Sequence, residues 1–317
     1  MRVLLASPID PAATAALRSR HDVVELPDVQ LRWAISDAEV VVLRSGAILS
    51  EDVLAGAPEL RVILRAGSGL DNIDLDAARA RGIRVIRIPG MSAAPVAEHT
   101  FALLLSLARK ITVADRLIRD GRWPKQQLSG PLLRGKTLGV VGAGNIGGLV
   151  GQMGNAWGLR VLGCVARPSR AVGEQLAQRG ITLATFDAIV EQADFLTLHV
   201  PLDSTTEHLV DASVLDRMRC GSLLVNMARG GVVDEKSLFE ALTLGSTVAG
   251  AALDVHTTEG EGTIPLLAAL PQVVLTPHIG AMAIDAQHMI GARVLELVEA
   301  RAQGRLEEEL EHGELVI

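Results

Sequence analysis

The sequence predicts an α/β protein with two doubly wound parallel-sheet domains and a cleft between them. Short apolar runs rich in Val and Leu alternate with segments of helical periodicity along the whole chain. The length of 317 residues exceeds what one ordinary core holds and suits two domains. Glycine is frequent, at 31 residues, and aromatic residues make up 2%, a composition that favours parallel strands packed closely against helices.

The first part of the chain contains four predicted strands with helices between them. The strands are Val3–Ala6, Val40–Leu43, Val62–Leu64 and Val85–Ile86. The helices are Ala12–Ser19, Glu51–Ala55 and Leu75–Arg81. This order is the βαβ rhythm of a parallel sheet.

The middle of the chain predicts one long apolar helix over Val96–Leu117, which ends before Gly121-Arg122-Trp123-Pro124. A second series of six strands follows and fits a doubly wound sheet. Its members are Thr137–Val141, Arg160–Cys164, Phe195–His199, Ser222–Asn226, Val248–Leu253 and Val273–Thr276. A last helix over Ala283–Gln303 precedes the acidic tail Glu307–Glu314, which we expect to be solvated and poorly ordered.

Composition and charge exclude several classes of protein. The formal net charge is −7 and no run of Lys or Arg occurs, so we expect no nucleic-acid partner and only small anionic ligands. The two cysteines, Cys164 and Cys220, have no metal-ligand spacing, so we predict no metal site. The N-terminal apolar stretch is too short for a secretory signal, and no stretch suits a membrane span. We therefore expect a cytoplasmic protein, with no further domain after Ile317.

A glycine-rich loop indicates a dinucleotide site. The strand Thr137–Val141 runs into Gly142-Ala-Gly144-Asn145-Ile146-Gly147 and then into a helix, which is the context that the GxGxxG pattern requires. Gly142 permits a tight turn, Gly144 lets the backbone approach a pyrophosphate, and Gly147 lets the helix pack against the strand. The helix N-terminus attracts the phosphates.

The end of the next strand favours NADPH over NADH. Enzymes that use NAD usually place Asp or Glu there to bind the ribose hydroxyls, and this chain has Val165. Arg167, Ser169 and Arg170 follow, and two cations with a hydroxyl would attract a 2′-phosphate. NADH stays open as an alternative, since the arginines also fit an ordinary solvated loop.

Three segments of the second half follow predicted strands and carry a cation, carboxylates and an imidazole. They contain Arg229, the pair Asp254 and Glu259, and His278 in Thr-Pro-His-Ile-Gly. The carboxyl ends of parallel strands form the ligand-binding edge of a doubly wound sheet. A clamp for a carboxylate, a proton donor and an acid that tunes the donor are the groups that reduction of a 2-oxo acid needs.

At these residues the chain resembles the D-isomer-specific 2-hydroxyacid dehydrogenases, and it is most similar to their 3-phosphoglycerate dehydrogenase branch. The resemblance extends from about Val40 to Gly291. Further matching stretches are Leu43-Arg-Ser45, Arg65-Ala-Gly-Ser-Gly-Leu-Asp-Asn-Ile-Asp74, Val96-Ala-Glu-His99 and Leu198-His-Val-Pro201. The family implies two Rossmann-like domains, with residues 1–98 and 286–317 binding substrate and residues 99–285 binding the dinucleotide.

The resemblance also implies roles for the residues of the second half. His278 would donate a proton to the carbonyl oxygen, Glu259 would pair with His278 and keep it protonated, and Arg229 would bind the substrate carboxylate. Asp254 would hold the nicotinamide carboxamide. The motif that contains Val200 and Pro201 would contact the dinucleotide. His256 stands where the family usually has Phe, and it is either a satisfied histidine or a residue that lines the cleft.

On the substrate side, the resemblance implies an anion-binding backbone at Ser68 and Gly69. Arg44 and Arg65 match positions where phosphoglycerate dehydrogenases hold the substrate phosphate, a role that suits the planar guanidinium. Arg87 stands in place of a family Asn beside the substrate. These matches predict a small 2-oxo or 2-hydroxy acid with a second anionic group, such as phosphoglycerate or a phosphonate analogue.

Three alternative functions stay open, and the sequence also predicts an oligomeric state. A hydroxypyruvate or glyoxylate reductase needs no second anion, and an oxidoreductase of an unusual phosphonate would need one. A non-enzymatic nucleotide-sensing corepressor could use the same fold, although the three catalytic residues speak against it. The apolar helix from Val96 and the segment at Trp123 resemble the family's dimer contact, so we expect a homodimer.

Overall fold

The computed structural model describes residues 1–26, 31–245 and 247–317, with the backbone alone at residues 32 and 33. These residues form two compact units. Unit 1 contains residues 1–92 and 281–317, and unit 2 contains residues 93–280. Each unit has a parallel sheet with helices, so the predicted fold class of two parallel-sheet α/β domains is confirmed. The predicted limits at residues 98 and 285 lie close to the limits of these units.

Unit 1 contains a five-stranded parallel sheet in the order β2-β1-β3-β4-β5. The strands are β1 (Arg2–Leu5), β2 (Asp22–Glu25), β3 (Val40–Leu43), β4 (Val62–Arg65) and β5 (Arg84–Arg87). The helices between them are α1 (Pro11–Arg18), α2 (Leu31–Ala34), α3 (Glu51–Ala55) and α4 (Leu75–Ala80). Neighbouring residues of β3, such as Val40 and Val41, belong to clusters on opposite faces of the sheet, which explains why the strand is apolar throughout.

Unit 2 contains a seven-stranded parallel sheet in the order β12-β11-β10-β9-β6-β7-β8. Its first elements are α5 (Ala93–Ala108), α6 (Ile111–Arg119), β6 (Thr137–Val141), α7 (Asn145–Ala156), β7 (Arg160–Cys164), α8 (Arg170–Gln178) and β8 (Ile181–Leu183). The others are α9 (Phe186–Gln192), β9 (Phe195–Leu198), α10 (Ala212–Arg217), β10 (Ser222–Asn226), α11 (Glu235–Leu244), β11 (Val248–Leu253) and β12 (Val273–Leu275). Strand order reverses between β6 and β9, so the loop after β6 lies where doubly wound sheets bind ligands.

The predicted long helix over Val96–Leu117 is wrong, because the segment forms two helices. α5 ends at Ala108, and Lys110 has a φ of 52°, in the left-handed region that ends helices. The residue at this position is usually Gly or Asn, so the sequence carries no breaker that would have predicted the break.

Two strands were absent from the prediction. β2 is an edge strand with the pattern DVVE and no fully buried residue, and β8 is a three-residue edge strand in which Ile181 alone is fully buried. Each is too short and too exposed to give an apolar run. The six strands predicted for the second series therefore become seven in unit 2.

The chain returns to unit 1 through α12 (Ile284–Ala302) and α13 (Leu306–Glu309). Most of the acidic tail is exposed, as predicted, but the expectation that it is poorly ordered is wrong. Residues 314–317 continue beside β5, where the N–H of Arg87 donates to the carbonyl of Glu314 and the N–H of Val85 donates to that of Ile317. The carboxylate of Glu314 is buried and accepts two hydrogen bonds from the Arg293 guanidinium, at 2.9 and 2.8 Å. Burial and pairing order the end of the tail.

No helix among the described residues combines the length and apolar character that crossing a bilayer requires.

Candidate active site

The glycine loop between β6 and α7 has the shape that a dinucleotide pyrophosphate needs. Gly142 has a φ of 91°, and a Cβ there would lie 2.6 Å from the carbonyl oxygen of His199. A Cβ at Gly147 would lie 2.2 Å from the carbonyl oxygen of Gly142, so the helix packs tightly against the turn. A Cβ at Gly144 would meet nothing within 4 Å. The backbone of Gly144 is therefore open to a ligand.

The N-terminus of α7 adds donors at this loop. Gly144 is the N-cap and provides no side-chain cap, so the first peptide N–H groups of the helix, at Asn145 and Ile146, have no intrahelical acceptor. Both residues are at least partly exposed. Free N–H groups together with the helix dipole form an anion site, so these residues fit a pyrophosphate.

A cavity of about 540 Å³ borders the glycine loop. Its lining includes Gly142 and the side chains of Val165, Pro168, Leu183, Phe186 and Val200. An apolar cavity beside an anion site fits the adenosine part of a dinucleotide. Pro201, which is also predicted to bind the cofactor, follows Val200 and is exposed.

The three polar residues after β7 differ in their hydrogen bonds and ion pairs. Arg170 pairs with Glu174 at 2.9 Å, and the hydroxyl of Ser169 accepts the N–H of Val172 as the N-cap of α8. Arg167 is exposed and forms no hydrogen bond or ion pair within the described part of the chain. Of the two arginines predicted to face a 2′-phosphate, Arg167 is the one whose charge no carboxylate of the described residues neutralises.

His278 follows β12 and pairs with Glu259, which follows β11. The Nδ1 of His278 lies 2.9 Å from the Oε2 of Glu259, and because a carboxylate accepts, Nδ1 carries the proton. Within the described residues, the Nε2 of His278 has no protein partner. The imidazole thus presents one nitrogen to a ligand while a carboxylate holds the other.

The Glu259 carboxylate is held from two sides. Burial works to raise the pKa of Glu259, but the hydrogen bond and charge of His278, with the peptide N–H of His256, keep it below the ordinary value. That N–H donates to Oε1 at 3.1 Å, so each oxygen has its own partner. The carboxylate is therefore fixed in one orientation, with Oε2 facing the Nδ1 of His278.

Asp254 organises the backbone on both sides of His278. Its carboxylate accepts from the N–H groups of Ile279 and Gly280 and from the Thr276 hydroxyl, and its own carbonyl accepts the N–H of His278 at 2.7 Å. Burial favours a raised pKa for Asp254, but these bonds and that of His99 lower it. Asp254 is 2% exposed, so its contacts here are with the protein, and its role toward a carboxamide stays a prediction.

Arg229 follows β10, the strand beside β11, and is partly buried. Its Nη1 donates to the carbonyl of Ala228 at 2.7 Å. Gly230 has no room for a side chain, because a Cβ would lie 2.0 Å from the carbonyl carbon of His256. The backbone after Arg229 is therefore packed against the loop that carries Glu259.

The substrate residues predicted from the first part of the chain lie in unit 1. Arg44 is exposed in part, burial lowers its pKa, and its Nη2 contacts the Sδ of Met282 at 3.1 Å. The peptide N–H groups of Ser68 and Gly69 donate to no acceptor in the described protein, as an anion nest requires. Arg65 is buried. Arg87 donates through Nε to the carbonyl of Gly313, so its side chain is engaged with the C-terminal segment.

The prediction assigned no role to three side chains that hold the loops around His278 and Glu259. They belong to His99, Thr276 and Glu235. His99 and Thr276 lie in stretches that match the family, but their contacts depend on the folded structure. His199, at a motif position, is not an alternative acid, since burial lowers its pKa to about 3. Among the described residues, no group of three or more His, Cys, Asp or Glu side chains is arranged to hold a metal.

Comparison with known proteins bears on this arrangement. Residues 101–280 match the model of the D-isomer specific 2-hydroxyacid dehydrogenase, NAD binding domain. A D-3-phosphoglycerate dehydrogenase of Mycobacterium bovis is 41% identical over 95% of this chain, but the chain spans 57% of that protein's length. A hydroxypyruvate reductase of Thermotoga maritima is 35% identical over 94% of this chain and 97% of its own length.

Solved structures show the same fold. The D-lactate dehydrogenase of Aquifex aeolicus, complexed with NAD and lactic acid, has a TM-score of 0.87 and 28% identity over 100% of this chain and 99% of its own. The TT0316 protein of Thermus thermophilus has a TM-score of 0.87 and 33% identity, with both chains covered completely.

Proposed function

Because the chain belongs to the D-isomer specific 2-hydroxyacid dehydrogenases, we propose that it transfers a hydride between a nicotinamide dinucleotide and a small 2-oxo or 2-hydroxy acid. The observation that carries this proposal is the His278–Glu259 pair at 2.9 Å, in the same unit as the glycine loop. The pair leaves Nε2 available for proton transfer, and the loop fits the pyrophosphate. The presence of Arg229, which would bind a substrate carboxylate, favours an enzyme over a protein that only senses nucleotides.

The residues divide the chemistry between them. When bound at the glycine loop, the dinucleotide supplies the hydride or accepts it. In reduction, His278 Nε2 donates its proton to the substrate oxygen as the carbonyl becomes a hydroxyl, and Glu259 stabilises the imidazolium before that transfer. Arg229 binds the substrate carboxylate. In oxidation, Nε2 accepts the hydroxyl proton instead.

We propose that the substrate carries a second anionic group, bound by Arg44 and Arg65. The half-buried guanidinium of Arg44 supports this, because desolvation lowers its pKa and its contact is a thioether that leaves the charge uncompensated. The Ser68–Gly69 backbone adds free donors. The similarity to phosphoglycerate dehydrogenases agrees with a phosphate or a phosphonate at this position.

A hydroxypyruvate reductase is the second candidate. The Thermotoga maritima relative of that name matches over nearly its whole length. Hydroxypyruvate has no second anion, so Arg44 and Arg65 would then contribute little to substrate binding.

We propose that NADPH is used better than NADH. Val165 removes the carboxylate that would repel a 2′-phosphate, and Arg167 is exposed and unpaired among the described residues. A hydrogen bond to a charged group is worth about 1.5–3 kcal/mol, and about 1.4 kcal/mol corresponds to tenfold. One partly exposed contact between Arg167 and the 2′-phosphate thus favours NADPH over NADH by roughly tenfold.

A substrate panel tests the proposed function. Initial rates would be measured with NADPH and NADH on glyoxylate, pyruvate, hydroxypyruvate, phosphohydroxypyruvate and a phosphonate analogue. We expect turnover, with the highest kcat/KM for an oxo acid that carries a second anion. A higher kcat/KM for hydroxypyruvate would select the reductase instead. Tight dinucleotide binding without turnover of any oxo acid would overturn the enzymatic proposal.

A further inference from the structure

His256 is a buried imidazole close to the reacting pair, with no role in the mechanism described so far. It lies two residues after Asp254, in the loop that leads from β11 to Glu259. Its side chain is 9% exposed. Its hydrogen bonds, to Glu259 and Thr276, are within unit 2.

The ring of His256 joins this loop to the end of β12. Its Nε2 lies 2.9 Å from the carbonyl oxygen of Thr276. A carbonyl only accepts, so Nε2 carries a proton and the ring donates. Thr276 is two residues before His278, which makes the ring a link between the segments that carry Glu259 and His278.

The backbone of His256 contacts the reacting carboxylate itself. Its N–H donates to the Oε1 of Glu259 at 3.1 Å, while Oε2 receives the Nδ1–H of His278 at 2.9 Å. A rotation of the peptide at His256 would turn the carboxylate away from His278. The ring contact to Thr276 opposes that rotation.

Titratable side chains of two neighbouring helices contact this arrangement. Glu235, at the start of α11, accepts the N–H of Thr257 at 2.7 Å. His99 of α5 lies 3.4 Å from the carboxylate of Asp254, and Glu259 faces His278. Two carboxylates thus hold successive peptide N–H groups, at residues 256 and 257, which fixes the plane of the loop.

We propose that His256 is a positioning residue: its ring anchors the Glu259 loop to the β12 end, and its peptide N–H orients the Glu259 carboxylate toward His278. This rests on the proposed role of the Glu259–His278 pair.

Burying a histidine ring here has an energetic cost, which indicates that its Nε2–H donor has a role in the structure. Nδ1 is buried and finds no hydrogen-bond partner among the residues that the structure describes, which is unfavourable for a polar atom. An apolar ring would fill the same space without that cost. The imidazole contributes the Nε2–H donor, which an apolar ring lacks.

Three variants separate positioning from space filling. His256→Phe keeps a ring of similar size and removes the donor, and His256→Gln restores an N–H near the Nε2 position. His312→Gln replaces an exposed histidine of unit 1 as the matched control. Circular dichroism and thermal melting would establish that each variant is folded.

The first measurement needs no turnover. The full-length protein, with ¹³C-labelled glutamate carboxyls, would be titrated by NMR, and Glu259→Gln would assign the Glu259 signal. Loss of orientation toward His278 should raise the pKa of Glu259 by about half a pH unit or more in His256→Phe. His256→Gln and His312→Gln should match the wild type. An unchanged Glu259 titration in folded His256→Phe would overturn the proposal.

The second measurement is kinetic. We expect kcat of His256→Phe to fall about tenfold, with the KM for dinucleotide unchanged and partial recovery in His256→Gln. Wild-type kcat in His256→Phe would mean that the ring only fills space, and equal loss in both variants would mean that the restored N–H has no effect; either result would overturn the proposal. If the wild type turns over no oxo acid, the proposed function fails, while the Glu259 titration still decides the role of His256.

Discussion

His278 is held in a backbone conformation that few residues of its kind adopt. Its φ is 56°, in the left-handed region, which costs of order 1–3 kcal/mol for a residue other than glycine. Asp254 compensates by accepting the N–H of His278 and those of the next two residues. This backbone conformation directs the imidazole toward Glu259. The hydrogen bonds of the buried Asp254 offset its energetic cost.

Replacing the imidazole tests the proton transfer. His278→Gln should reduce kcat by roughly 10²–10⁴-fold, the usual contribution of general acid–base catalysis, because an amide cannot supply the proton. Dinucleotide binding, measured by fluorescence titration, should stay within about twofold of wild type, since the glycine loop is untouched. His312→Gln is the control. Turnover near the wild-type rate in purified His278→Gln would rule out this role.

The two arginines after β7 should differ in their effect on cofactor preference. Arg167→Ala removes the cation that pairs with no carboxylate in the described part of the chain, and should lower the NADPH-to-NADH ratio of kcat/KM about tenfold. Arg170→Ala removes a cation already paired with Glu174, and should change the ratio by about twofold or less. Equal effects of the two substitutions, or a wild-type ratio that favours NADH, would contradict the proposal.

Sequence motifs located His278, Glu259, Arg229 and the glycine loop because their chemistry depends on side-chain type and position after a strand. They did not distinguish Arg167 from Arg170, since the pairing with Glu174 depends on the helical spacing of α8. They also missed what Thr276 contributes, because its backbone carbonyl, which accepts from His256, looks the same in every residue.

At the scale of elements, the central strands were predictable and the edges were not. β3, β6 and β10 are buried along their whole length, and burial on both faces gives β3 an unbroken apolar run and the other two a shorter apolar centre. β2 and β8 lie at the outer edges of their sheets and leave no such pattern. The break at Lys110 was also invisible, because Lys110 takes the left-handed conformation without the Gly or Asn that usually marks it in a sequence.

The C-terminal tail shows how one buried pair orders an acidic segment. Burial works to raise the pKa of Glu314, but the hydrogen bonds from Arg293 lower it below the ordinary carboxyl value. Arg293 also contacts Glu296 and the carbonyl of Glu309. The tail, α12 and α13 are thereby tied together through one guanidinium.

Neutralising Glu314 should destabilise the protein at neutral pH. Glu314→Gln removes a charged acceptor, which costs about 2 kcal/mol and lowers the Tm by several degrees. A carboxyl whose folded pKa is lowered stabilises the fold above its ordinary pKa of about 4.3, and this stabilisation is lost as pH falls through the folded pKa. The Tm difference from wild type should therefore narrow below about pH 4.

Glu307→Gln is the matched control for this prediction. Glu307 lies in the same tail and pairs with Arg84, but both side chains are largely exposed. An exposed pair is worth about 0–1 kcal/mol, so its loss should barely change the Tm. A Tm difference for Glu314→Gln that stays constant from pH 7 to pH 3 would contradict the assignment.

At the scale of the whole molecule, one helix of unit 2 has apolar side chains that the described residues leave exposed. α6 has no buried residue, although Ile111 and Ile118 are half-exposed and Trp123, just after it, is 80% exposed. A cavity of about 310 Å³ lies between the helix and this segment. Exposed apolar patches of this kind mark interaction surfaces, and we propose that a second copy of the chain covers this one in a homodimer.

A charge on this face should dissociate the homodimer. In light scattering coupled to size-exclusion chromatography, we expect the wild type at twice its chain mass of 33.5 kDa. Ile118→Asp would bury a carboxylate without a partner, and because a twofold interface contains each residue twice, the dissociation constant should rise roughly 30-fold or more. Leu244→Asp, on an apolar side chain that is 83% exposed at the end of α11, is the matched control and should remain a dimer. A monomeric wild type at micromolar concentration, or equal dissociation in both variants, would show that α6 is not the contact.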